Sequence, residues 1–169
     1  MPLEPELDPV PVLIRFADAA IDFVVIGGVA GGAHGSAFGT EDVDLAYSRA
    51  PENLERIAGL LRELDARLRG APAGLPFQLD ARSLAEGGNF TFDTDLGKID
   101  LLAYPAGAQS FERLREGAVV IDIGGRSVRI ASLDHLIAMK EAAGLPKDLL
   151  MASEYRLISD ELRAPRSDG

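Results

Sequence analysis

Two aspartates, Asp42 and Asp44, lie in Thr40-Glu41-Asp42-Val43-Asp44-Leu45, and a third, Asp100, stands in Ile99-Asp100-Leu101-Leu102. Successive side chains of a strand point to opposite faces. In an extended segment Asp42 and Asp44 therefore project to one side, roughly 6–7 Å apart. Val43 and Leu45 point the other way, where an apolar layer covers them. Two carboxylates on one face of an otherwise apolar strand repel each other and are costly to desolvate. A bound divalent cation resolves that conflict. Magnesium, a hard ion, takes carboxylate oxygens together with phosphate oxygens in octahedral geometry. Asp100 is flanked by aliphatic residues, a setting where an ionised side chain is rarely buried unpaired. If its strand lies beside that of Asp42 and Asp44, the three carboxylates can bridge two metal ions about 3.5–4 Å apart and clamp the oxygens of a phosphoryl transfer. Asp100 is then also the natural general base for an incoming hydroxyl.

Phosphate-binding groups are present as well. Gly27-Gly28 closes the apolar run Phe23-Val24-Val25-Ile26, and Gly35-Ser36 follows. Glycine backbone N–H groups can approach a triphosphate without obstruction, and the Ser36 hydroxyl adds a donor. Lys140, in Leu136-Ile137-Ala138-Met139-Lys140, falls on a predicted helix and offers a point cation to phosphate.

The elements that must position these groups follow from periodicity and turn residues. Residues 10–21 have helical apolar spacing, Phe23–Gly27 reads as a buried strand, and a short helix covers about 28–34. Asp42–Tyr47 is the next strand. Pro51 opens a helix through about residue 68, with Leu54, Ile57, Leu60, Leu61, Leu64 and Leu68 on one side. Residues 70–76 form a loop, and a short helix lies near Ser83. Asn89–Thr94 and Gly97–Leu102 form one hairpin, and Val119–Ile123 and Ser127–Ile130 a second, with a helix over 110–116 between them. Ser132 caps a helix to about Ala143, and a last helix runs from about Pro146 to Arg163. This order predicts an α/β (α+β) protein with a mixed sheet and flanking helices, not a repeating βαβ array. Residues 1–9 are expected to be a flexible N-terminus, 10–163 a single domain and 164–169 a flexible tail.

Bulk properties narrow the function further. The chain has 169 residues, no cysteine and two histidines. Disulfides, thiolate zinc and a cysteine nucleophile are excluded, and a histidine-rich metal centre is disfavoured. Seventeen Lys and Arg face twenty-seven Asp and Glu, a net charge of −10. Tight autonomous binding of nucleic acid, which needs cations to displace counterions, is therefore not expected. There is neither a signal-peptide pattern nor an apolar run of membrane-spanning length, so a cytoplasmic protein without membrane contact is expected. Gly27-Gly28-Val29-Ala30-Gly31-Gly32 lacks the Gly-x-Gly-x-x-Gly spacing of a dinucleotide binder.

The block Val25-Ile26-Gly27-Gly28-Val29-Ala30, His34-Gly35-Ser36 and Thr40-Glu41-Asp42-Val43-Asp44-Leu45 resembles the signature of the nucleotidyltransferase superfamily with the polymerase-β-like fold. Within it the chain looks most like the branch of the AbiEii and MenT toxins. Ile99-Asp100-Leu101, the helix with Lys140 and Ala143-Gly144-Leu145-Pro146-Lys147-Asp148 match its later elements, so the resemblance spans about residues 12–158. It implies magnesium-dependent transfer of a nucleoside monophosphate from an NTP to a hydroxyl of tRNA or protein, in a toxin–antitoxin pair with a cognate antitoxin. Asp42, Asp44 and Asp100 would be metal ligands, with Asp100 also the base. Gly27, Gly28, Gly35, Ser36, Thr40 and Lys140 would surround the nucleotide, with Asp148 an auxiliary polar residue. Many relatives have an arginine shortly before the motif threonine, where this chain has Ala37-Phe38-Gly39. Many also have arginine in place of Leu145 and aspartate in place of Met151. These departures leave open a catalytically degenerate protein that keeps the fold and binds a nucleotide or a partner.

Overall fold

The computed structural model describes residues 7–72 and 77–165; most of the termini expected to be flexible (1–9 and 164–169) and residues 73–76 of the 70–76 loop lie outside these residues. The chain order is α1 (Val10–Asp18), β1 (Phe23–Ile26), α2 (Gly27–Ala33), β2 (Asp42–Tyr47), α3 (Pro51–Glu63), β3 (Arg67–Leu68) and α4 (Ala81–Glu86). The hairpin β4 (Asn89–Thr94) and β5 (Gly97–Leu102) follows, then α5 (Phe111–Gly117), the hairpin β6 (Val119–Ile123) and β7 (Arg126–Ile130), α6 (Leu133–Ala143) and α7 (Pro146–Arg163). The strands make one mixed sheet in the order β3-β4-β5-β2-β1-β7-β6. The mixed α/β architecture read from the sequence is the one observed.

The core is aliphatic with a few aromatics. Val43 and Leu45 of β2, Ile99 and Leu101 of β5 and Phe92 of β4 are fully buried on the sheet face opposite Asp42, Asp44 and Asp100. Helix α3 buries Leu54, Ile57, Ala58, Leu60 and Leu61, its apolar side. Between α3 and the sheet, Asn53 is buried and satisfied: its amide accepts from Asp22 N (2.7 Å) and donates to Asp22 O (3.1 Å) and Ser48 O (2.8 Å). That clamps the chain entering β1 to the chain leaving β2, which lie side by side at one end of the strand pair.

Two helices end earlier than the apolar spacing predicts. Helix α1 stops at Asp18 rather than continuing to residue 21, because Ala20 adopts a positive φ of 57° that reverses the chain into β1. Helix α3 stops at Glu63, and Asp65 (φ 51°) turns the chain outward. Leu68 keeps the helical spacing of the preceding leucines, yet it pairs in β3 with Phe92 of β4. Burial against a neighbouring strand has overridden the local period.

Candidate functional site

Strands β2 and β5 run parallel and in register, with Asp44 beside Asp100 and Asp42 beside Lys98. Alternation then sends Asp42, Asp44 and Asp100 to one face. One carboxylate oxygen from each lies within 4.8 Å of the others. All three side chains are half-buried. The sequence thus predicts the convergence, and the register produces it.

Crowding at this point perturbs protonation. Burial pushes the Asp44 carboxyl up to about 7, reinforced by the charges of Asp100 and Asp42 and by a hydrogen bond in which Asp44 holds the proton toward Asp100. The Lys140 ammonium acts in the opposite sense on Asp44. Burial also raises Asp100, against the pull of Arg69. Asp100 Oδ1 is buried without an aligned hydrogen-bond donor among the described residues. Three crowded, half-desolvated carboxylates form a donor set that suits a divalent cation.

The double glycine is fitted to this cluster. Gly27 has a φ of 67°, and a Cβ there would overlap Asp44 Oδ2. A Cβ on Gly28 would lie 2.6 Å from Thr40 Cβ. Both positions therefore exclude side chains so that the start of α2 can close on the carboxylates. The first-turn N–H groups of α2 have no acceptor within the helix and remain available to an anion. Thr40 contributes packing against Gly28. Its hydroxyl bonds the strand start, donating to Asp42 O (3.0 Å).

The other expected phosphate contacts are placed differently. Gly35 (φ 107°) and Ser36 turn their N–H groups back onto Gly32 O (3.0 Å) and Gly31 O (2.9 Å), ending α2 rather than facing the aspartates. The Ser36 hydroxyl donates to Glu154 of α7 in a short contact, and the Ala37 N–H donates to the other oxygen of the same carboxylate (3.2 Å). Lys140 lies on α6 with its Nζ 3.5 Å from Asp148 Oδ1. Asp148 in turn accepts from Leu145 N (3.3 Å), fastening the start of α7. The structure brings Asp42, Asp44, Asp100, Gly27, Gly28, Thr40 and Lys140 together, and it engages Ser36 and Lys140 with carboxylates of α7.

Sequence reasoning missed Arg69 and Glu154. Arg69 Nη2 lies 3.2 Å from Asp100 Oδ1, Nη1 3.9 Å from Asp42 Oδ2 and Nε 3.3 Å from Asp93 Oδ1. It donates to Phe92 O at 2.9 Å. No sequence signal marks it, since it falls where a helix end was expected to meet a loop. Glu154 lies six residues beyond Asp148, the last residue of the matched motifs, and only the packing of α7 brings it to Ser36.

No protein-family model matches the chain, and no curated protein matches it in sequence. Solved structures do resemble it. The lincosamide antibiotic adenylyltransferase LnuA, lincomycin-bound, superposes with a TM-score of 0.62 at 11% identity, over 91% of this chain and 99% of that one. The antibiotic-resistance factor ANT(2″)-Ia superposes with a TM-score of 0.53 at 18% identity, over 89% and 80%. An antigenic nucleotidyltransferase-like protein from Paracoccidioides brasiliensis gives 0.55 at 16% identity, over 94% and 76%. At such identities the likeness concerns architecture, and the fold of this chain is that of the nucleotidyltransferases.

Proposed function

We propose that the chain is a magnesium-dependent nucleotidyltransferase that moves a nucleoside monophosphate from an NTP to a hydroxyl acceptor. The observation that carries this reading is the convergence of Asp42, Asp44 and Asp100 beside the glycine-lined start of α2. Asp42 and Asp44 would hold the cation, and magnesium, when bound, would neutralise the negative charge of the triphosphate oxygens. Gly27 and Gly28 leave room for phosphate against the first turn of α2, and Lys140 supplies positive charge near Asp44. Asp100, on the β5 side, takes the proton of the acceptor hydroxyl. The hydroxyl oxygen bonds the α-phosphorus, the bond from that phosphorus to the bridging oxygen breaks, and pyrophosphate leaves.

The acceptor is not specified by the fold. Solved structures named for lincomycin and adenylyl-2″-tobramycin show that related architecture is used on antibiotics. The motif resemblance instead favours a tRNA end or a protein hydroxyl, with the chain as the toxin of a toxin–antitoxin pair. A second reading, a catalytically degenerate binder, is favoured by the pairing of Ser36 with Glu154 and of Lys140 with Asp148. Both pairs occupy donors that a triphosphate would use.

Thermal stability with each of the four NTPs, with and without Mg²⁺, tests the site. A ligand at a hundred times its dissociation constant stabilises a fold by about 2.7 kcal/mol. A magnesium-dependent shift that disappears in Asp42→Ala/Asp44→Ala supports the proposal, and acceptor screening then separates turnover from binding. Absence of any shift with every nucleotide sinks it in favour of partner binding.

A further inference from the structure

Arg69 stands in one row of the sheet with the carboxylates. Its N–H donates to Thr91 O (2.9 Å), Thr91 is the register partner of Asp100, and Asp100 is the partner of Asp44. A shared row on a pleated sheet places side chains on a shared face. Arg69 is therefore aimed at the cluster by the backbone itself. Its side chain is only 25% exposed, and its guanidinium is fixed by Phe92 O and by Asp93 while reaching Asp100 and Asp42. Lys140 approaches from α6, on the side of the nucleotide elements, whereas Arg69 enters from β3, beyond β5. Three half-buried carboxylates thus have one cation on each flank.

We propose that Arg69 is the resident counter-ion of the triad: it holds Asp42 and Asp100 in place while no divalent cation is bound, and it opposes the binding of that cation. This rests on the reading of the triad as a metal site. Arg69 is a positioning residue, acting through Asp42 and Asp100. An arginine cannot lose its charge at any relevant pH, so its repulsion of an incoming cation is permanent. The consequence is a low affinity for the bare ion. Metal then loads efficiently only when a triphosphate brings further negative charge, which ties metal occupancy to substrate arrival.

The competing role is mechanical. Arg69 could serve only to fasten β3 to β4 through Phe92 O and Asp93, in which case metal affinity would not respond to its charge. Calorimetric titration with Mn²⁺ alone, at fixed pH and ionic strength, separates the two. Arg69→Gln is expected to bind Mn²⁺ about tenfold tighter than wild type, while its metal-free melting temperature falls. Arg69→Lys, which keeps the charge, is expected to stay near the wild-type affinity. Unchanged or weaker Mn²⁺ binding in Arg69→Gln, with wild type binding in an Asp42- and Asp44-dependent manner, overturns the counter-ion role and leaves the metal site standing. No Mn²⁺ binding by either wild type or Arg69→Gln overturns the metal site, and the counter-ion role with it. Should Arg69→Gln not fold, Arg69→Gln/Asp100→Asn removes the charge being compensated and is expected to restore the fold. A double variant that remains unfolded also overturns the proposal.

Discussion

At the scale of single residues the site is governed by the crowding of half-buried carboxylates. Asp44 has a folded-state value of about 7 against 3.8 for the ordinary carboxyl, chiefly from burial. The folded protein therefore binds more protons than the unfolded chain between those values. Stability from this group is fully present below pH 4 and is lost as pH rises through about 7. Metal-free protein should accordingly lose stability across that window, and Asp44→Asn, which cannot ionise, should flatten the profile. Denaturant melts at several pH values check this; a wild-type profile as flat as that of the variant would refute it. Glu154 belongs to the same argument. Its carboxylate occupies the Ser36 hydroxyl and the Ala37 N–H, and its charge repels any phosphate that approaches them. Glu154→Gln keeps one acceptor oxygen for the Ala37 N–H, turns its amide donor to the Ser36 hydroxyl oxygen, and removes the repulsion. Triphosphate binding measured by calorimetry should tighten about three- to tenfold, whereas an unchanged constant would place Ser36 away from the nucleotide. The three aspartates were legible in the sequence because a period of two within an apolar strand leaves a carboxylate nowhere else to go. Arg69 and Glu154 were not legible, since each meets its partner only through pairing between elements distant in sequence.

At the scale of elements, α2 carries the clearest sign of design around the site. Its residues are Gly27, Gly28, Val29, Ala30, Gly31, Gly32 and Ala33, a composition with poor intrinsic helix propensity. The gain is proximity. Gly27 and Gly28 let the helix start lie on Asp44 and Thr40, and Gly31 lets its middle lie on the buried Tyr155 of α7. Gly31→Ala would raise propensity by about 1 kcal/mol in an open helix. Here the added methyl would overlap the Tyr155 hydroxyl and press on its ring, so the net change should be a loss of about 1–3 kcal/mol. Tyr155→Phe should recover part of that loss. It also removes a hydroxyl that is buried without a partner among the described residues, so alone it should be close to neutral. Chemical denaturation of the two single variants and the double variant tests the coupling; strict additivity would show that the contact is absent. The same elements show where reading the sequence runs out. Both hairpins and the last two helices were legible from turn and cap residues: Gly124-Gly125 between β6 and β7, Ser132 before α6 and Pro146 opening α7. The ends of α1 and α3 were not, because Ala20 and Asp65 take positive φ under tertiary constraint without a glycine to announce it.

At the scale of the whole molecule, the strand order divides the labour. With β2 near the centre, β1 and α2 bring the glycines from one side, and β5, β4 and β3 bring Asp100 and Arg69 from the other. On the proposed function, a nucleotide and an acceptor would meet over β2 without competing for the same elements. Around this centre the chain carries a net charge of −10, which opposes compaction through self-repulsion. Two effects of an added divalent salt must then be told apart. General screening relieves the self-repulsion of the entire surface, acts with any cation and saturates as the Debye length shrinks to about 8 Å at physiological ionic strength. Binding at the triad acts at one place and depends on ion charge and on Asp42, Asp44 and Asp100. Melting temperature should rise moderately with NaCl in wild type and in Asp42→Asn/Asp44→Asn alike. At matched ionic strength MgCl₂ should raise it further in wild type only. The double variant should start from a higher metal-free value at neutral pH, because two of the three crowded charges are gone. An equal response of both proteins to MgCl₂, with and without an NTP, would mean that magnesium acts on the acidic surface as a whole, and the carboxylate cluster would then have to be explained without an ion.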